Sequence, residues 1–92
     1  MIKIKIVFDE NKIKKDEEYE IEDIKNHVKK YFDIYDFKEV EKNIYSDNGK
    51  KGDVESLIAI VGTLKECSWF MTYIEEFIWI DEEDDYIENL LD

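Results

Sequence analysis

The chain predicts a small α+β domain, an antiparallel sheet with two helices on one face. Three observations carry that expectation. Apolar residues alternate with lysine at the start, recur at helical spacing from residue 21, and run almost unbroken from Leu57 to Leu64. Ninety-two residues, 43% of them apolar, suffice for one core and one domain spanning 1–92, and a chain of this size has a modest stability margin.

Ile2, Ile4, Ile6 and Phe8 alternate with Lys3 and Lys5, the period of a half-buried strand. Asp9 to Glu18 is polar and reads as a loop, with Ile13 its only aliphatic residue. Ile21, Ile24, Val28, Tyr31, Phe32 and Tyr35 then fall on one face of an amphipathic helix. Glu20, Glu22 and Asp23 near its start and Lys29 and Lys30 near its end match the helix dipole.

Phe37 to Tyr45 is a weaker strand, with Val40 and Ile44 on one side and Phe37 and Tyr45 on the other. Ser46 to Asp53, with Asn48-Gly49 and Gly52, is the clearest turn. Leu57 to Leu64 reads as a central strand covered on both faces. Ser68 is a candidate N-cap for a second helix bearing Phe70, Tyr73, Ile74, Phe77 and Ile78 on one stripe. Ile78-Trp79-Ile80 fits a short final strand as well as a helix end, and Tyr86, Ile87, Leu90 and Leu91 suggest a short C-terminal helix. Strand, helix, strand, strand, helix, strand is the ferredoxin-like β-α-β-β-α-β order.

Net charge is −12, from 25 acidic residues against 13 basic ones, all lysine. Phosphate contact needs a basic footprint, so direct nucleic-acid binding is disfavoured, and an anionic membrane repels the chain for the same reason. The favoured partners are cationic: a basic protein groove, a polyamine or a divalent ion. The charge is segregated along the chain, with +3 over residues 1–15, −6 over 16–48, +1 over 49–65 and −10 over 66–92. The last 27 residues hold ten carboxylates and no Lys, Arg or His, together with Trp69, Phe70, Tyr73, Phe77, Trp79 and Tyr86.

One cysteine, Cys67, excludes an internal disulfide and a thiolate zinc cluster. The first residues are neither a signal peptide nor a membrane span, so a cytoplasmic protein is expected. The absence of Arg and Pro beside abundant Lys, Ile, Asn and Glu suggests an AT-rich genome, such as that of a low-GC bacterium or its phage.

Catalytic elements are sparse. His27 falls on the polar side of the first helix, Cys67 follows an apolar run as a small core residue would, and Gly49, Gly52 and Gly62 form no phosphate-binding loop. No catalytic residue, cofactor or metal is expected. Asp81, Glu83 and Asp85 are spaced like the start of a calcium loop, but Tyr86 and Asp92 stand where its glycine and final glutamate belong.

The densest constellation is Asp81, Glu82, Glu83, Asp84 and Asp85, flanked by Glu75, Glu76 and Glu88. In an extended chain such residues lie about 3.3 Å apart, close to the roughly 3.4 Å per phosphate of one DNA strand. Trp69 and Tyr86 are the candidate apolar anchors beside these acids, since aromatics at a charged rim anchor interfaces, whereas Trp79 is assigned to the core. The expected activity is non-enzymatic inhibition, in which an acidic surface mimics nucleic acid and blocks the basic groove of a nucleic-acid-processing enzyme. Anti-restriction and anti-CRISPR proteins of phages and mobile elements share this size, charge and composition, although no motif links the chain to any family. The alternative is a small adaptor or homodimerisation module whose acids serve only solubility.

Overall fold

The computed structural model describes residues 1–92. In chain order the elements are strand β1 (Ile2–Phe8), helix α1 (Glu10–Asp16), helix α2 (Ile21–Asp33), strands β2 (Glu39–Glu41) and β3 (Ile44–Ser46), helices α3 (Asp53–Lys65) and α4 (Ser68–Tyr73), and strands β4 (Ile74–Asp81) and β5 (Tyr86–Asn89). The strands form one sheet in the order β2-β3-β1-β4-β5, and every neighbouring pair is antiparallel. The expected α+β class holds, with five strands and four helices rather than four and two. No helix is long and apolar enough to cross a membrane.

β1 is the central strand. Its period-two pattern buries Ile2, Ile4, Ile6 and Phe8 on one face and leaves Lys3, Lys5 and Val7 half-buried on the other. The buried row meets Ile13 of α1, Ile24, Val28 and Phe32 of α2, Leu57, Ile60, Val61 and Leu64 of α3, and Phe70 of α4 in a single core. Full burial of each such aliphatic or aromatic side chain contributes roughly 1.5–3 kcal/mol. Phe32 stacks on Tyr45 with centroids 4.0 Å apart, and Phe70 meets Phe8 and Phe77 edge to face at 5.7 and 5.0 Å.

Several expected elements are corrected. Residues 9–18 are not a loop: Asp9 caps α1, its Oδ1 accepting from the Lys12 N–H at 3.0 Å, and Ile13 is driven into the core. Residues 37–45 are not one strand. The chain reverses between β2 and β3 at Asn43, whose φ of 68° lies in the left-handed region that asparagine tolerates.

Leu57 to Leu64 is helical, not a central strand. Leu57, Ile60, Val61 and Leu64 are buried at three- and four-residue steps, while Ile58, 58% exposed, faces solvent with Ala59, Gly62 and Thr63. A continuous apolar run hid the helical period. Gly52, at φ 93°, makes the turn into α3. α4 follows Cys67, with no side-chain cap from Ser68, and lasts only to Tyr73. From Ile74 the isoleucine- and aromatic-rich run pairs with β1 along its length, from Phe8↔Ile74 to Ile2↔Asp81, because strand pairing buries it better than a longer helix. The expected C-terminal helix is instead β5, paired to β4 from Asp81↔Tyr86 to Ile78↔Asn89.

The turn predicted at 46–53 is observed, with a role its sequence did not disclose. Asp47 is buried, and its Oδ2 accepts from the Ile2 N–H at 3.1 Å while its Oδ1 accepts from the Gly49 N–H at 3.3 Å. A loop carboxylate thereby holds the start of the central strand.

Candidate functional site

β4 and β5 form a hairpin whose connection carries the acidic run. Asp81 Oδ1 accepts from the Glu83 N–H at 3.1 Å and from the Asp84 N–H at 3.3 Å, so one carboxylate organises the backbone of the turn. Asp85 completes the reversal at φ 51°. The run is therefore not extended as expected. It folds into a tight tip, and its side chains fan out from one end of the sheet instead of lining up at phosphate spacing. The turn chemistry of aspartate accounts for this.

Pairing within the sheet then decides which acids remain free. Lys3 Nζ lies 3.4 Å from Glu82 Oε2, the Met1 amino group 3.7 Å from Glu83 Oε1, and Lys5 Nζ 3.5 Å from Glu76 Oε2. No ion pair reaches Asp84, Asp85, Glu75 or Glu88. Surface pairs of this kind hold their partners weakly, with a median of about 0–1 kcal/mol, so Glu82 and Glu83 stay available to a stronger cationic partner.

Tyr86 and Glu88 lie on the helix side of β5, and the Tyr86 hydroxyl donates to Glu88 Oε1. That hydrogen bond, with some desolvation, raises Tyr86 above the ordinary tyrosine range. Between β5 and α3 runs an open groove of about 360 Å³ lined by Ile58, Val61, Trp79, Tyr86 and Leu90. Nothing in the sequence pointed to this groove, because Ile58 lies in a run read as a strand and only the helix α3 turns it outward. Trp79, assigned to the core, is half-buried and forms part of this groove.

The predicted site residues separate into two groups. Asp81, Glu82, Glu83, Asp84, Asp85, Tyr86 and Glu88 are gathered on the hairpin. Glu75 and Glu76 lie at the opposite end of β4, roughly 17 Å or more from Asp81 at about 3.3 Å per residue. Trp69 is also at that far end, on α4. It is half-buried, packs against the core, and meets the His27 ring edge to face at 5.2 Å and Phe70 at 6.0 Å. The structure does not bring Trp69 next to the acidic tip.

His27 is exposed and tilts against Tyr31 at 5.7 Å. Cys67 Sγ donates to the Thr63 carbonyl at 3.3 Å, and no hydrogen bond joins Cys67 to His27. Burial and a hydrogen bond with Cys67 raise the Tyr31 hydroxyl above its usual range. This cluster binds α2 to α4.

No family model matches the chain, and no curated protein or solved structure matches it.

Proposed function

We propose that the chain is a non-enzymatic, protein-binding inhibitor whose acidic hairpin enters a basic groove that normally holds nucleic acid. The observation that carries this reading is the tip itself: Glu82, Glu83, Asp84 and Asp85 project from a turn fixed by Asp81, with Tyr86 and an apolar groove beside it. Lysines and arginines of the target take these carboxylates in place of phosphates, and Tyr86 supplies apolar contact near the rim. The net charge of −12 speeds encounter with a cationic surface and makes association fall with salt. Glu75, Glu76 and Trp69, at the other end of β4, fit a second and outlying part of the contact.

The strand order β2-β3-β1-β4 also supports reading the frame as ferredoxin-like, with β5 added at one edge. In that frame two crossovers return helices to a single face, so the hairpin is free to project. Inhibition of an anti-CRISPR or anti-restriction type, in the cytoplasm of a bacterium and encoded by it or by its phage, is the setting that suits an acidic domain of this size.

Capture from bacterial lysate at low and at high salt tests the reading. It requires a nucleic-acid-processing protein that is retained at low salt, lost at high salt, and displaced by its own nucleic acid. Retention that resists salt, or a captured protein that nucleic acid does not displace, contradicts it.

A further inference from the structure

The helices cover one face of the sheet and leave the other open. On that open face the strand register places Val7 of β1, Ile44 of β3, Ile78 and Ile80 of β4 and Ile87 of β5. Ile80 lies directly opposite Ile87, and Ile87 is 68% exposed. Folded monomers rarely leave a contiguous apolar patch of more than a few hundred Å² in water.

The charges among these residues indicate the occupant. The face carries Lys3 and Lys5 in one column and Glu76 and Glu82 in the next, paired at 3.5 and 3.4 Å. With Glu41 of β2, opposite Ile44, the face sets two lysines against three glutamates, so it is nearly balanced in a chain of net charge −12 and offers little to a partner selected by its own charge. It is also complementary to itself. A two-fold axis parallel to the strands and between β1 and β4 lays the lysine column of one copy over the β4 column of the other. Lys3 and Lys5 then meet Ile80, Ile78 and the two glutamates, and their aliphatic stems close over the isoleucines.

We infer that this open face is the contact between two copies of the chain. Strands of 7, 3, 3, 8 and 4 residues, at about 4.8 Å spacing and about 3.3 Å per residue, give a face of roughly 400 Å² per copy. Two such faces bury on the order of 800 Å², below the usual size of specific interfaces, so the dimer is weak and transient and forms with concentration. The rest of each molecule repels its twin, and salt screens that repulsion without weakening apolar contact. Self-association thus tightens with salt, opposite in sign to capture of a basic protein by the hairpin.

Sedimentation equilibrium on the full chain, from micromolar to millimolar concentration at low and high salt, tests this. The expected mass rises with concentration toward twice 11.2 kDa, and rises sooner at high salt. The double variant Ile80→Thr, Ile87→Thr keeps strand-forming residues and is expected to stay monomeric with an unchanged circular dichroism spectrum. Should it fail to fold, Lys5→Glu sets like charges face to face across the same axis and is expected to weaken association at least tenfold. A wild-type chain that remains at 11.2 kDa up to millimolar concentration and high salt overturns the inference. So does a folded variant that dimerises as the wild type does.

Discussion

Lys3 Nζ and Glu82 Oε2 lie 3.4 Å apart although 79 positions separate them in the chain. Antiparallel pairing of β1 with β4 is the cause. It brings the lysine-rich start against the acid-only end, and so partly reverses the charge segregation seen along the sequence. What remains unpaired at the tip of the β4–β5 hairpin is Asp84 and Asp85, which no lysine reaches.

These cross-strand pairs lie half-buried on the sheet surface, in contact with solvent, and contribute little to folding. Replacing Lys3 and Lys5 with Gln is expected to change the free energy of unfolding by less than about 1 kcal/mol per pair, measured by urea denaturation. The same variant frees Glu82 and Glu76, and is expected to bind a basic partner a few-fold more tightly.

Asp47 is a different kind of acid. It is buried and holds the Ile2 N–H. Asp47→Ala leaves that donor without a partner and is expected to cost about 1–3 kcal/mol by denaturant titration. Asp47→Asn, which keeps an acceptor oxygen, is expected to cost less.

Phe77 is fully buried between β1 and Phe70, paired with Ile6 across the sheet. Phe77→Ala is expected to destabilise by about 3–5 kcal/mol, a large share of the margin of so small a domain. Val61→Ala, at the rim of the same core, is expected to lose clearly less, and thermal melts of the two variants check the order.

Alkaline pH is expected to unfold the chain. Burial, with the nearby Glu39 and Asp33 carboxylates, pushes Tyr45 up to about 12. Burial, with the Asp16 carboxylate that accepts its hydroxyl at 3.0 Å, pushes Tyr73 up to about 12 as well. Both phenols hold their protons more firmly in the fold than in the open chain, whose tyrosines ionise near pH 10. Their contribution is complete below about pH 10 and declines as pH rises toward about 12. Circular dichroism followed together with phenolate absorbance over that range should show unfolding and ionisation advancing together, and Tyr73→Phe should remove part of the effect.

Legibility along the chain followed the contrast between apolar and polar positions. β1 and α2 were readable because Lys3 and Lys5 interrupt the isoleucines of one, and Glu22, Asp23, Lys29 and Lys30 outline the apolar stripe of the other. α3 was misread because Ile58 and Ala59 are apolar yet exposed, which erased the helical period. α1 was missed because it offers only Ile13 to the core. The boundary of α4 and β4 depends on pairing with β1, a strand more than sixty residues distant, and no local pattern encodes that. The acidic cluster was legible as composition, whereas its shape was not: Asp81 acts as turn former, a role that only the folded hairpin discloses. Trp69 resembled an interface anchor by helical phase, but its neighbours are His27 and Phe70 at the far end of β4.

The central claim is tested most directly by titrating the basic protein captured from lysate with a variant carrying Glu82→Gln, Glu83→Gln, Asp84→Asn and Asp85→Asn, keeping Asp81 to preserve the turn. Four exposed charges at roughly 0.7 kcal/mol each predict a loss of about a hundredfold in affinity, together with a flatter salt dependence and an unchanged fold. Equal affinity and an equal salt dependence in the folded variant would contradict the account.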